Sequence, residues 1–247
     1  MSSPIPTSED QPPESALWAL VPAAGVGTRM GADRPKQYLP LFGRPILQFT
    51  LERLGSYVPL RGIFVGLSPE DAFWPTLPPH LPKVLGTFPG GQERAHTVLN
   101  GLKTLLAHAA SHDWVIVHDA VRPCVRHADI DKLVSAVDGS PDGGLLGLPL
   151  ADTVKCVDPM GNVMETVPRI GLWRALTPQL FPVARLRRAL EAAVRQGVTL
   201  TDEAAAIELD GGHPRMVAGH GDNIKITSPA DIELAEMVLK QQARERG

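Results

Sequence analysis

Short runs of apolar residues recur along the chain, separated by stretches in which apolar positions follow a helical period. The run at 16–21 (ALWALV) is followed at once by Pro22 and a loop of small residues, a pattern typical of a strand buried on both faces. Similar runs lie at 62–67, 114–117 and 144–150. We therefore predict that these segments are strands of the protein core.

Helical periodicity fills the segments between these runs. Val98, Leu102 and Leu105 lie at i, i+4 and i+7, along one face of a helix. The last helix is predicted to begin at 228–231 (SPAD), which resembles a capping box with proline at the first helical position. Strands that alternate with helices predict an α/β fold, with a Rossmann-like, mostly parallel sheet and helices on both of its faces.

Residues 152–168 break this alternation. Apolar and polar residues alternate one by one on either side of a turn at 158–161 (DPMG), so we predict a protruding β-hairpin arm. Its apolar face carries Val154, Cys156 and Val163, and little neighbouring chain is available to cover it. A partner subunit is the expected cover, which predicts a homodimer that forms through the arm.

Composition narrows the class of protein. The chain has 247 residues and a formal net charge of −3, which argues against nucleic acid or an anionic membrane as the main partner. Residues 16–247 are expected to form a single domain, preceded by a disordered tail at 1–15 that is rich in proline and serine. Cys124 and Cys156 form no CxxC pair; we expect two reduced thiols in a cytoplasmic protein, with a single disulfide as the alternative.

The most informative segment is the loop at 22–40, which follows the first predicted strand. Open parallel sheets bind ligands at the carboxyl ends of strands, and backbone N–H groups in a loop of small residues hold phosphate oxygens. The loop lacks the third glycine of a dinucleotide-binding fingerprint and the Gly-Lys pair of a Walker A loop. Arg29 and Lys36 bracket it instead, and two such cations suit a phosphoryl-type transition state. The small residues predicted to contact a nucleotide are Ala23, Ala24, Gly25 and Gly27.

Motifs spread over nearly the whole chain decide between a nucleotide loop and a plain glycine turn. The strings PAAGVGTRM at 22–30 and PKQYL at 35–39 resemble nucleotidyltransferases that couple a nucleoside triphosphate to a sugar or polyol phosphate. Further motifs in matching order extend the resemblance to the 2-C-methyl-D-erythritol 4-phosphate cytidylyltransferase family of the non-mevalonate isoprenoid route. They are GGQER at 90–94, HDAVRP at 118–123, LTPQ at 176–179, TDEA at 201–204 and DNIK at 222–225.

This resemblance runs from about Ala19 to Leu239 and implies both a fold and a reaction. The implied fold is of the nucleotide-diphospho-sugar transferase type. The implied reaction joins CTP and 2-C-methyl-D-erythritol 4-phosphate to give 4-diphosphocytidyl-2-C-methyl-D-erythritol and pyrophosphate, by in-line attack on the α-phosphate. Two alternatives stay open: an enzyme for another polyol phosphate such as ribitol 5-phosphate, and a non-catalytic sensor of nucleotides or sugar phosphates.

Asp119 follows the predicted strand at 114–117, where a carboxylate beside a triphosphate suits Mg²⁺. An isolated Asp at such a place also fits a turn or helix cap, but its position in the HDAVRP motif implies a metal ligand. Arg122 on the same loop is expected to reach a second phosphate. By resemblance, the other nucleotide-binding residues are Gly91, Gln92, Arg94, Thr97 and Ala120, with a solvated first-turn arginine as the alternative for Arg94.

The second substrate carries its own phosphate and therefore needs further cations. By resemblance, Lys225 and Arg169 position it, with an exposed strand-edge lysine as the alternative for Lys225. Pro168 and Ile170 replace an acid and an amide that usually flank this arginine in the family. Hydroxyl groups predicted to contact the polyol or its phosphate are those of Thr153, Thr177 and Thr201.

Overall fold

The computed structural model describes residues 15–25 and 34–245, so most of the predicted tail lies outside the described residues. The described strands are β1 (Leu17–Pro22), β2 (Pro40–Leu41), β3 (Arg44–Pro45), β4 (Leu60–Leu67), β5 (Val84–Pro89), β6 (Trp114–Val117), β7 (Gly144–Pro149), β8 (Val154–Val157), β9 (Val163–Val167), β10 (Trp173–Pro182) and β11 (Arg215–Ala218). The described helices are α1 (Ile46–Gly55), α2 (Arg94–Leu105), α3 (His127–Val137), α4 (Val183–Arg195), α5 (Glu203–Leu209) and α6 (Pro229–Arg244).

The central sheet has the strand order β11-β7-β10-β6-β1-β4-β5. Strand β1 pairs in parallel with both β4 and β6, and β5 and β11 extend the parallel pairing at the two ends. Strand β10 runs antiparallel to both of its neighbours, β6 and β7. The predicted mostly parallel α/β sheet is confirmed, with β10 as an antiparallel insertion that the apolar pattern did not indicate.

The side chains of β1 alternate between two layers of the core. Trp18 and Leu20 pack in a cluster with α2 and α4, whereas Leu17, Ala19 and Val21 pack in a cluster with α1 and α3. Because successive strand residues point to opposite faces, a continuous apolar run is what a strand covered on both sides requires. The prediction of helices on both faces of the sheet is confirmed.

Asp113 joins the beginnings of β1 and β6. Its carboxylate accepts hydrogen bonds from the Ala16 backbone N–H, the Trp18 indole N–H and the Ala110 backbone N–H, each at 2.9 Å. These bonds satisfy a side chain that is 5% exposed, as a buried carboxylate requires. They hold β1 and β6 in register, so that the loops after both strands emerge side by side.

The hairpin predicted around 158–161 is present as a separate two-stranded antiparallel sheet of β8 and β9. The Asp158 carboxylate accepts the backbone N–H groups of Met160 and Asn162 at 2.9 and 2.8 Å, and Gly161 adopts φ +87°, which favours glycine. The hairpin leaves large apolar side chains uncovered, including Met160 at 84% and Met164 at 67% exposure.

None of the described helices combines the length and hydropathy needed to cross a bilayer. Cys124 is buried, Cys156 is exposed, and both are free thiols, in agreement with the preferred of the two cysteine interpretations.

Candidate functional site

A cleft of about 340 Å³ opens where the loops after β1, β5 and β6 meet. This is the carboxyl edge of the parallel strands, where such sheets bind ligands. The structure thus brings together residues that are more than 200 positions apart, between Ala23 and Lys225. The predicted site residues that line this cleft are Ala23, Ala24, Gly25, Lys36, Gly91, Gln92, Arg94, Thr97, Asp119, Ala120 and Lys225.

The beginning of the loop after β1, at residues 23–25, is fixed by hydrogen bonds to neighbouring segments. The Ala23 N–H donates to the Gly66 carbonyl at 2.8 Å, which prolongs the pairing of β1 with β4. The buried Gln37 amide donates to the carbonyls of Ala23 at 2.6 Å and Gly25 at 3.2 Å. These two bonds give the glutamine of the PKQ sequence at 35–37 a structural role next to Lys36. Gly27 and Arg29 lie outside the described residues.

The opposite wall of the cleft, after β5, also requires small residues. A Cβ atom on Gly90 would lie 2.3 Å from the Ala24 Cβ, and one on Gly91 would lie 2.3 Å from the His96 Cβ. The Gly91 N–H donates to the buried Thr97 hydroxyl at 2.9 Å, and this hydroxyl lies 3.2 Å from the Glu93 carbonyl. Thr97 thus shapes the loop from within, while the exposed Gln92 side chain stands at the cleft.

Asp119 is the electrostatic centre of the cleft. Its Oδ1 accepts from Arg94 Nη1 at 2.8 Å, and its Oδ2 lies 3.2 Å from Arg122 Nε and 3.0 Å from Lys225 Nζ. Burial opposes the charged carboxylate, but these cations, Arg94 first, outweigh it and lower its pKa. The Asp119 carboxylate thus remains ionised at neutral pH and keeps cations from three parts of the chain together.

Behind Arg94 lies a second carboxylate that the sequence reasoning missed. Glu203, the first residue of α5, has a side chain that is 1% exposed. Its Oε1 and Oε2 accept from Arg94 Nε and Nη2 at 2.9 and 3.0 Å. Its place in the TDEA motif was the available signal, but only Thr201 of that motif was singled out. The solvated first-turn alternative for Arg94 is wrong, because its guanidinium lies between two carboxylates.

The loop that carries Asp119 is braced by His118, which is fully buried. His118 Nε2 lies 3.0 Å from the Arg122 carbonyl, which can only accept, and His118 Nδ1 lies 3.0 Å from the Thr177 hydroxyl. That hydroxyl also accepts from the Asp119 N–H at 3.0 Å. Burial lowers the pKa of His118 to about 4, in keeping with a neutral ring. Thr177 was predicted to contact substrate, but its hydroxyl instead forms these hydrogen bonds with His118 and the Asp119 N–H.

A second cleft, of about 320 Å³, adjoins the first, and Lys225 lines both. Arg122 and Arg174 also line it, and Arg122 Nη1 donates to the Asn223 carbonyl at 2.8 Å. The buried Asn223 Oδ1 has no hydrogen-bond partner among the described residues. Arg174 was missed because nothing in the sequence distinguishes it from an ordinary exposed arginine.

The structure does not bring four of the predicted acceptor-binding residues to either cleft: Thr177, which belongs to the buried brace described above, and three exposed residues. Thr153, Arg169 and Thr201 are exposed and line neither cleft. Arg169 donates a hydrogen bond to the Ala151 carbonyl at the base of the hairpin. The reason is the course of the chain: Thr153 and Arg169 flank the separate β8–β9 sheet rather than the edge of the central sheet.

The acidic side chains at the cleft could supply only part of the ligands of a metal ion, so a substrate would have to supply the others. Among the described residues, no cluster of three or more His, Cys, Asp or Glu side chains can hold a metal ion by itself. Asp119 offers one carboxylate on the cleft wall, and Lys225, which lies against it, has a side chain that is 41% exposed and so has room to move. One carboxylate with phosphate oxygens is a usual set of Mg²⁺ ligands.

Comparisons with known proteins agree with this geometry. The profile of the family described as "IspD: 2-C-methyl-D-erythritol 4-phosphate cytidylyltransferase" matches residues 17–241. The protein of that name from Hahella chejuensis is 48% identical over 236 residues, which cover 96% of this chain and 98% of that protein. The one from Aeromonas hydrophila is 49% identical over 226 residues, covering 92% of this chain and 90% of that protein.

Solved structures give the same answer. The crystal structure of the Francisella tularensis 2-C-methyl-D-erythritol 4-phosphate cytidylyltransferase superposes with a TM-score of 0.79 at 34% sequence identity, covering 91% of this chain and all of that one. The sequence, the sheet order and the residues gathered at its carboxyl edge therefore lead to one conclusion. The chain belongs to the 2-C-methyl-D-erythritol 4-phosphate cytidylyltransferase (IspD) family.

Proposed function

We propose that this protein transfers a cytidylyl group from CTP to 2-C-methyl-D-erythritol 4-phosphate, which yields 4-diphosphocytidyl-2-C-methyl-D-erythritol and pyrophosphate. The observation that carries the proposal is the grouping of Arg94, Arg122 and Lys225 around Asp119 at the carboxyl edge of the sheet. Two anionic substrates have to meet in this reaction, and a cluster of cations offsets their repulsion.

The CTP phosphates lie along the loop of small residues after β1. An oxygen of the acceptor phosphate attacks the α-phosphorus in line and forms the new P–O bond, while the bond to the β-phosphate oxygen breaks and pyrophosphate leaves. Lys36, at the cleft, and Arg29, outside the described residues, stabilise the charge that develops on these oxygens. No general base is needed, because a phosphate monoester is largely ionised near pH 7.

Magnesium is the proposed cofactor, with Asp119 as its protein ligand. When bound, the ion would neutralise charge on the triphosphate. Lys225 and Arg122 contact one oxygen of the Asp119 carboxylate and Arg94 contacts the other. These three side chains hold the carboxylate at the cleft wall before a metal ion or a substrate binds.

The cytosine base is placed against the wall after β5. The Gly91 backbone lines this wall, and the hydrogen bond from its N–H to the Thr97 hydroxyl fixes the conformation of the loop. Gln92 extends an exposed amide at the cleft, and an amide offers both a donor and an acceptor to the edge of cytosine.

The acceptor phosphate is placed at the second cleft. Arg122 and Lys225, which the resemblance and the motif position assign to substrate phosphates, line this cleft, and Arg174 adds a third cation. The carboxylate of Asp231, also in its wall, is occupied by N–H and O–H groups of Thr227 and by the Ser228 N–H. Because Lys225 lines both clefts, it stands where the attacking oxygen and the α-phosphate meet.

A homodimer that forms through the β8–β9 hairpin completes the proposal. Met160, Val163, Met164 and Ile170 are exposed by between 60% and 97%, and a monomer gains nothing from leaving such a patch in water. The exposed Arg169 and Thr153 at the base of the hairpin then become available to the cleft of the partner subunit. The proposed compartment is the cytoplasm, because both proposed substrates are phosphorylated, water-soluble metabolites.

The test of the reaction is a pyrophosphate-release assay with Mg²⁺, each of the four common nucleoside triphosphates, and either methylerythritol phosphate or ribitol 5-phosphate. We expect turnover with CTP and methylerythritol phosphate. Turnover confined to ribitol 5-phosphate would replace the acceptor, and no turnover with any pair would favour the sensor alternative.

The dimer has its own test, complementation between two variants at a polyol phosphate concentration near the wild-type KM, where both variants are expected to be nearly inactive. K36A and R169A subunits are purified separately and then mixed under conditions that allow exchange. If Arg169 acts in the partner's cleft, mixed dimers carry one intact site and recover about a quarter of wild-type activity, since half the molecules are mixed and each has one site of two. Absence of recovery, with exchange verified by mass spectrometry, would place Arg169 outside the partner's site.

A further inference from the structure

The geometry points to Glu203 as a positioning residue for the reaction, acting through Arg94 to hold the carboxylate of Asp119 at the cleft wall. This inference rests on the proposed function. Glu203 lines neither of the two clefts that Lys225 shares, so it is not assigned contact with a substrate. Its influence on the chemistry would pass through the guanidinium of Arg94.

The arginine is gripped from two sides. Glu203 receives Nε and Nη2 of Arg94 at 2.9 and 3.0 Å, in the two-pronged geometry that fixes a guanidinium plane. Nη1 then points to Asp119 Oδ1 at 2.8 Å. These contacts use three of the five N–H groups of the guanidinium. With its plane fixed by Glu203, Arg94 presents Nη1 to Asp119 Oδ1 from one direction, while Arg122 and Lys225 contact Oδ2.

Glu203 itself is fixed by the way α5 begins. The Asp202 carboxylate caps the helix by accepting the Ala205 N–H at 3.0 Å, and it also accepts the Gln179 amide at 2.9 Å. The side-chain Oε1 of Gln179 in turn accepts the Ala204 N–H at 2.8 Å. Strand β10, to which Gln179 belongs, thus sets the position of the first turn of α5.

Stability alone is a poor reason for this arrangement. A buried ion pair pays a large desolvation cost, and an apolar pair of similar volume often stabilises a fold as well or better. The Glu203 side chain is almost fully buried, and Arg94 lies at the cleft wall with a quarter of its side chain exposed. The arrangement resembles the outer support that keeps a functional carboxylate or arginine in one geometry.

The central variant is E203D, which keeps the charge but shortens the side chain by one methylene, so that its carboxylate no longer reaches both prongs of Arg94. E203Q removes the charge and keeps the shape. E208Q is the matched control, because Glu208 lies on the same helix with its side chain exposed. Each variant is measured for kcat, for KM with CTP and for thermal unfolding.

A positioning role predicts that E203D and E203Q lower kcat at least tenfold, while KM for CTP changes less than threefold and E208Q matches the wild type. A role as a mere negative charge predicts the opposite pattern for E203Q, namely tighter CTP binding in a more positive cleft and an unchanged kcat. In an R94A background E203D should have no further effect on kcat, because its route of action is gone. Equal losses in both backgrounds would overturn the inference.

The failure of this inference and that of the proposed function are distinguishable. If the wild type turns over CTP but E203D keeps its kcat, only the positioning role is refuted. If the wild type is inactive with every substrate pair, crystal structures of E203D and of E203Q still decide the matter. Arg94 Nη1 remaining within hydrogen-bond distance of Asp119 Oδ1 in both would overturn the positioning role, and its loss there would support it.

Discussion

His118 makes the stability of this protein sensitive to mild acid, and the size of the effect can be worked out. The ring is fully buried, and because the Arg122 carbonyl can only accept, Nε2 carries the proton and Nδ1 accepts from the Thr177 hydroxyl. A second proton, on Nδ1, would remove the acceptor of the Thr177 hydroxyl and put a charge into the core. We therefore expect the folded protein to resist protonation of His118.

The sign and size follow from linkage. The ordinary pKa of histidine is 6.5, and burial lowers the pKa of His118 to about 4. Between these values the unfolded chain binds a proton that the folded protein does not, so acid favours unfolding. At about 1.4 kcal/mol for each pH unit, the free energy of unfolding should fall by roughly 3 kcal/mol between pH 6.5 and pH 4 from this residue alone.

The assay is urea unfolding at several pH values between 4 and 7, without nucleotide and with EDTA, for wild type, H118Q and H80Q. Glutamine at 118 has both a donor and an acceptor to replace the ring, but it does not titrate. The exposed His80 provides the control. The difference in unfolding free energy between wild type and H118Q should change by about 3 kcal/mol across the range, whereas H80Q should run parallel to wild type. A constant difference between wild type and H118Q would refute the reasoning.

Three further predictions concern the site and its support. K36A should lower kcat by at least about a hundredfold, roughly 2.7 kcal/mol of transition-state stabilisation; steady-state kinetics with a near-normal kcat would remove Lys36 from the catalytic role. R169A should chiefly raise KM for the polyol phosphate, and an unchanged KM in the same assay would discard that assignment. D113A leaves N–H donors at Ala16, Trp18 and Ala110 without their acceptor and should cost about 3 kcal/mol in urea unfolding. Kinetics of D113A at 25 °C should stay close to wild type, and a stability loss below about 1 kcal/mol would mean that water replaces Asp113 as acceptor.

Much of the sheet was predictable because burial on both faces leaves a plain apolar signature. The runs at 16–21, 62–67, 114–117 and 144–150 became β1, β4, β6 and β7, with boundaries within about two residues. The SPAD sequence at 228–231 forms the predicted capping box and begins α6. In each case the decisive interactions are local, or repeat with a short period, and so they are visible in one stretch of sequence.

Strand β10 and Glu203 escaped prediction for the opposite reason. Pro178 and Gln179 interrupt the apolar pattern of β10, and Gln179 is nonetheless buried because Asp202 and the Ala204 N–H satisfy its amide. Glu203 reads as an ordinary acid in the first turn of a helix, where solvent exposure is the usual state. Its partner, Arg94, lies 109 residues away. Only the assembled sheet shows that these polar residues are paired inside the protein.

The position of Asp119 explains how three cationic side chains can lie close together at the cleft before a substrate phosphate binds. Arg94, Arg122 and Lys225 reach it from α2, from the loop after β6 and from the segment before α6. Without a common anion, three such charges would repel one another and spread into solvent. Asp119 holds them together, Glu203 compensates Arg94 from the buried side, and the exposed Lys225 is left as the cation most easily exchanged onto a substrate phosphate. Asp119 and Glu203 together thus fix the geometry of Arg94, whereas Lys225, which contacts Asp119 alone, is available to bind substrate.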